Sequence, residues 1–140
     1  AIVGPGFSAG QEMEIEEVAD GVSADVRVVH DPDDLPKRMF RADFAVTTAS
    51  TTTYELLALG TPIVSVPVID NQKLIAEALR KQDLAIVLNR DAECGSFQTA
   101  IEKYCTDFSL RHARQNTGRE LITGDRVKRV ANVVLETAEY

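Results

Sequence analysis

Ala49-Ser50-Thr51-Thr52-Thr53 is a run of small residues, four of them hydroxyl-bearing, set between a short apolar stretch and an apolar helix pattern. Small side chains let an anion approach the backbone. The hydroxyls and N–H groups are donors, and a helix N-terminus adds partial positive charge. Glu55 stands in the first turn of that helix. A carboxylate there suits the dipole, and it can also accept two vicinal sugar hydroxyls. A helix cap accounts for one Ser or Thr and for Glu55. It does not require four hydroxyls in succession. Two readings therefore stand side by side, a cluster of caps and an anion site.

The stretch Ala42–Gln72 must position these groups. Asp43–Thr47 (DFAVT) is a β-branched, apolar run of strand length. Tyr54–Leu59 is a short helix with Leu56, Leu57 and Leu59 on its apolar side. Gly60 suits the position after it, and Pro62 cannot continue it. Ile63–Val68 is the next strand, ended by Pro67. A β-α-β unit of this kind puts its helix across one face of a parallel sheet. Ligands of such sheets bind beyond the carboxyl ends of the strands, where Ala49–Thr53 lies.

The rest of the chain continues the alternation. Ala1–Val3 is a strand leading into the glycine-rich loop Gly4–Gly10, whose glycines permit positive φ or close approach of a ligand. The loop lacks the Gly-Lys-Ser/Thr ending of a P-loop. Gln11–Ala19 is an acidic helix with a solvated face. Asp25–His30 is a second strand. His30 has neither a nucleophile nor an acid partner near it in sequence, which argues against a catalytic role. Pro32–Arg41 is a short helix, with Leu35, Met39 and Phe40 expected inward. Asp70 or Asn71 is expected to cap Lys73–Gln82, an amphipathic helix. Leu84–Leu88 is a buried strand. Ser96–Cys105 carries a core stripe of Phe97, Ala100, Ile101 and Tyr104. Asp107–Ile122 is a helix in which Gly118 suggests a break, and Arg126–Glu139 is a last amphipathic helix. The expected architecture is α/β, a three-layer doubly wound parallel sheet.

Length and charge bound the function. The 140 residues suffice for one domain with a real core. A net charge of −7 argues against general nucleic-acid binding, which needs a basic face, yet turns can still bind phosphate locally. No apolar run approaches the ~20 residues that span a bilayer. Cys94 and Cys105 are too few for a disulfide framework and are expected to be free thiols of a reducing, cytoplasmic compartment. The chain starts directly in a strand, so residues 1–140 are read as a single domain lacking an N-terminal half.

The pattern from Ser50 to Val64 (STTTYELLALGTPIV), followed by Asp70-Asn71-Gln72, resembles the C-terminal half of GT-B glycosyltransferases. It is most similar to the family 28 type, related to the N-acetylglucosaminyltransferase that makes lipid II. It also looks like the nucleotide-sugar hydrolases of sialic-acid-like and spore-coat polysaccharide pathways. The resemblance is specific over Asp43–Gln72 and looser elsewhere. It implies a Rossmann-like half of a GT-B fold that binds a nucleotide-sugar donor. Ser50, Thr51 and Thr52 would hold the diphosphate, with Gly4, Gly6 and Ser8 as further phosphate contacts. Glu55 would take the ribose, and Asn71 and Gln72 the sugar. The related lipid II enzyme carries two glutamines where this chain has Asn71-Gln72. Val29, His30 and Asp31 would line the base pocket. No catalytic residue, metal or cofactor is expected in this half, since the general base would come from the acceptor-binding domain. A lipid-linked acceptor at the inner membrane face would fit.

The function expected is thus the donor half of a transferase using UDP-N-acetylhexosamine. A nucleotide-sugar hydrolase with the same half-fold is the alternative, and a non-catalytic interaction domain is a third. A phosphorylation receiver fits less well. Asp33-Asp34 stands at a helix start and Asp43 at a strand start, not in a paired-acid pocket.

Overall fold

The computed structural model describes residues 1–125; the helix expected over Arg126–Glu139 lies outside them. The chain divides into two compact units, Ala1–Arg38 and residues from Met39 onward.

In the first unit, β1 (Ile2–Val3) pairs in parallel with β2 (Val29–His30), Ile2 opposite Val29 and Val3 opposite His30. The second strand is shorter than the sequence suggests. Between them runs α1 (Ala9–Asp20), which starts two residues early because Ser8 caps it. Ser8 Oγ accepts from Gln11 N–H, while the Gln11 side-chain carbonyl accepts from Ser8 N–H at 3.0 Å. This reciprocal capping box satisfies two orphan groups at once. None of the residues of α1 is buried, so Met13 and Val18 face solvent along with the acids.

α2 (Leu35–Arg41) carries the division between the units. Met39 is buried as expected, but Phe40 is exposed, against expectation. Neighbouring helical residues point about 100° apart, so Leu35 and Met39 share a face that Phe40 cannot.

The second unit holds β3 (Ala45–Thr48), β4 (Ile63–Val66) and β5 (Ile86–Val87) in a parallel sheet of order β3-β4-β5. α3 (Thr52–Leu59) and α4 (Lys73–Lys81) make the crossovers, and α5 (Cys94–Thr106) and α6 (Phe108–Leu121) follow. Val64 packs with Ala100 and Tyr104 of α5, joined by Phe44, Ile86, Leu88 and Leu110. The Phe44 and Tyr104 rings stack at 5.6 Å. Tyr104 is fully buried, and its hydroxyl donates to the Ile63 carbonyl at 3.1 Å. Burial pushes its phenol above the ordinary pKa. Of the stripe expected on this helix, Ala100 and Tyr104 are core, while Phe97 and Ile101 are half-buried.

Helix α6 clamps the C-terminal ends of α3 and α4. Gly60 stands at φ 74°, with its N–H on the Leu57 carbonyl and the Thr61 N–H on that of Leu56, a Schellman turn. Arg119 donates twice to the exposed Leu59 carbonyl, at 3.0 and 3.2 Å. Gly118 does not break α6, contrary to expectation. A Cβ there would lie 2.9 Å from the Leu57 carbonyl oxygen, so the glycine permits close approach of α6 to α3. At the end of α4 the same turn is built on Asp83, φ 52°, whose carboxylate accepts from Arg114 at 2.5 Å. Asp tolerates this left-handed conformation better than most residues. The Arg114 hydrogen bond holds the Asp83 carboxyl below the usual carboxylate range.

Candidate functional site

The parallel register fixes which loops are neighbours. Thr48 is opposite Val66 and Ser65 is opposite Val87. The turns after β3, β4 and β5 therefore leave the same end of the sheet, from strands about 4.8 Å apart. Ser50, Thr51, Thr52 and Glu55 lie in the first turn, and Asn71 and Gln72 in the second. The structure thus brings the predicted phosphate, ribose and sugar residues of this unit to one sheet edge.

The turn before α3 is tight. Ser50 N–H donates to the Thr48 carbonyl at 2.8 Å, Thr53 N–H to Ser50 at 3.0 Å, and Tyr54 N–H to Thr51 at 3.0 Å. Helix α3 begins at Thr52, two residues before the sequence suggests, with Thr51 preceding it in helical conformation and giving no side-chain cap. Thr53 is buried and its hydroxyl donates to the Thr48 carbonyl at 3.3 Å, so it is structural. The hydroxyls of Ser50, Thr51 and Thr52 make no hydrogen bond among the described residues, and neither do the N–H groups of Thr51 and Thr52. Three hydroxyls and two N–H groups are thus open at the positive end of a helix. Glu55 is exposed one turn on, without an ion pair among the described residues.

The second turn differs from expectation. Neither Asp70 nor Asn71 caps α4. Asp70–Gln72 forms a single 3-10 turn that runs directly into the helix. The Gln72 side-chain carbonyl accepts from Val68 N–H at 2.8 Å, which braces the turn and leaves its NH₂ as donor. Asn71 is exposed with both amide functions open. Asp70 accepts from Lys73 at 2.9 Å and lies 3.8 Å from Arg90. The Lys73 hydrogen bond, and then its charge, hold the Asp70 carboxyl below its ordinary value. Lys73 stands three residues after Asp70, a spacing visible in the sequence. Arg90 carries no such signal, because it reaches Asp70 from the loop after β5.

In the first unit, Gly4 and Gly6 have no positive φ, and a Cβ on either meets nothing within 4 Å. Neither positive φ nor close packing therefore calls for glycine at these two positions. The Ser8 hydroxyl is engaged with Gln11. The signature for that box, Ser-x-x-Gln, is visible in the sequence. Val29 is half-buried in β2. His30 does have acid partners after all, Glu16 at 3.1 Å and Glu12 at 3.7 Å. They stand one turn apart on α1 and reach the ring through the fold, not through sequence proximity. Asp31 turns the chain with φ 37°. Asp31 and Asp33 have Asp-x-Asp spacing, but among the described residues no group of three or more His, Cys, Asp or Glu is placed to hold a metal ion.

No family model matches the chain, and no curated protein matches it in sequence. A solved structure matches it in fold. WaaG, a glycosyltransferase involved in lipopolysaccharide biosynthesis, superposes on 94% of this chain with a TM-score of 0.69 at 17% identity. The fold is that of a Rossmann-like GT-B half. The chain spans 36% of the length of WaaG. At this identity the likeness establishes the fold, an α/β structure of parallel sheets flanked by helices. Function has to be argued from the site residues. Among the described residues no helix is long and apolar enough to cross a membrane.

Proposed function

We propose that the second unit is the donor half-site of a glycosyltransferase, and that its donor is a nucleoside diphosphate sugar. The observation that carries this is the open turn before α3: Ser50, Thr51 and Thr52 with unspent hydroxyls, and two unspent N–H groups, beside the unpaired Glu55. A diphosphate seated there meets fixed donors and a helix dipole. The negative charge that develops as the sugar departs is stabilised by the same groups, which need no reorganisation. Glu55 accepts the two ribose hydroxyls. Asn71 and the free NH₂ of Gln72 hold the sugar hydroxyls, since an amide offers donor and acceptor together.

UDP-N-acetylhexosamine is the donor we favour, in line with the resemblance to family 28 enzymes of the lipid II type. The acceptor and the general base come from a partner domain, and a lipid-linked acceptor at the cytoplasmic membrane face fits that family. The half-site on its own binds donor without turnover. The test is calorimetric titration of UDP into wild type and Glu55→Ala. Loss of two hydrogen bonds to a charged group should weaken binding about tenfold or more. Equal affinities would contradict the ribose role. No stabilisation by any nucleoside diphosphate would favour a non-catalytic interaction domain.

A further inference from the structure

A phosphate ligand faces an unfavourable field on this chain. The net charge is −7, and the hydroxyl turn before α3 supplies dipoles but no cation. Two cations nevertheless converge at the same sheet edge. Lys73 opens α4, directly after Asn71-Gln72, and Arg90 lies on the loop after β5. Both address one carboxylate, Asp70, at 2.9 and 3.8 Å.

We propose that Lys73 and Arg90 are the cationic side of the diphosphate site, and that Asp70 is an internal stand-in anion which the diphosphate displaces. This rests on the donor reading above and extends it to residues outside the hydroxyl turn. Three features support it. First, the backbones carrying the two cations are braced independently of Asp70. Arg80 donates to the Leu88 carbonyl at 3.1 Å and to Asn89 Oδ1 at 3.2 Å, which fixes the loop just before Arg90. Gln72 fixes the turn before Lys73 through Val68 N–H. Second, the ion pairs are cheap to exchange. The side chains of Lys73 and Arg90 are each 64% exposed and that of Asp70 is 80% exposed, and exposed pairs hold weakly. A diphosphate presents more charge than one carboxylate and matches the planar fork of arginine. Third, the neighbouring cleft disfavours an anion by its charge. Asp91 and Glu93 line the open cleft of about 380 Å³ at the end of β5.

The proposal makes changes at neighbouring residues act with opposite sign. In calorimetric titrations of the full chain with UDP, Lys73→Ala and Arg90→Ala should each weaken binding by about three- to fivefold, the scale of an exposed charge pair. Asp70→Asn should tighten it by about twofold or more, because the stand-in anion is gone. Added salt should weaken wild type more than Arg90→Ala. Uridine, which lacks phosphates, should bind all four proteins equally. Unchanged melting temperatures of the three variants confirm that each is folded. UDP binding indifferent to Lys73 and Arg90, or weakened by Asp70→Asn, overturns this inference alone. A wild type that binds none of UDP, ADP, GDP and CDP overturns the donor reading and this inference with it.

Discussion

Helices α1 and α3 each begin just beyond the carboxyl end of a parallel strand, and their first turns are finished in opposite ways. At α1 the Ser8 and Gln11 side chains close on each other's backbone, so the start of the helix is satisfied from within. At α3 the residue before the helix gives no cap, and three hydroxyls and two N–H groups are left open. The same difference runs through the rest of each helix. α1 buries nothing, whereas α3 is seated by Leu56 and Leu57, closed by Gly60 and pinned by Arg119. A helix held firmly along its body and C-terminus can leave its N-terminus unspent. A helix with no buried face relies on its cap. The contrast separates a helix start that serves folding from one that is available to a ligand.

The most damaging way to break the comparison is to unseat α3. Gly118→Val puts atoms against the Leu57 carbonyl, a backbone group that cannot give way, so about 1–3 kcal/mol of stability should be lost. Urea denaturation measures this, and a neutral result would mean that α6 does not fix α3. Swapping alanine into the two helix starts sharpens the contrast. Ser8→Ala should cost about 1 kcal/mol, while Thr51→Ala should cost next to nothing in stability and should instead weaken UDP binding. Equal losses of stability at both positions would erase the distinction.

A smaller effect concerns pH. Asp83 is held below the ordinary carboxylate pKa by Arg114, so its contribution is present above the unfolded value and disappears as pH falls through the lower folded value. Wild type should therefore lose stability more steeply than Asp83→Asn below about pH 4. Parallel acid-denaturation curves would contradict the ion-pair role. The smallest change is expected in the glycine loop. Gly6→Ala meets no atom and no positive φ, so its melting curve should match wild type within about 0.5 kcal/mol. A large loss there would show a packing role for Gly6.

Much of this was legible in the residues. The order of strands and helices follows from hydrophobic period and from turn residues, and Gly60 declares its left-handed turn. What the period cannot reveal is commitment between distant side chains. Phe40 looked apolar enough to bury, but Met39 had taken the inward direction. Gly118 reads as a breaker until its closeness to Leu57 is known. His30 gains Glu12 and Glu16 only when α1 lies beside β2. Asp70 and Lys73 meet by their spacing of three, but Arg90 joins them because two loops leave adjacent strands, a fact of register. The candidate residues at the open turn were visible from composition, but not which of the four hydroxyls is spent. That distinction rests on Thr53 being buried and bonded to Thr48.

The central claim is that the turn before α3 is a diphosphate seat. Its most direct test is a ¹H–¹⁵N spectrum of the chain titrated with UDP. The account predicts that the Thr51 and Thr52 amides shift most, with a saturable dependence on UDP, and that Thr51→Ala with Glu55→Ala abolishes the change. Saturable binding that leaves those two amides unmoved would contradict it.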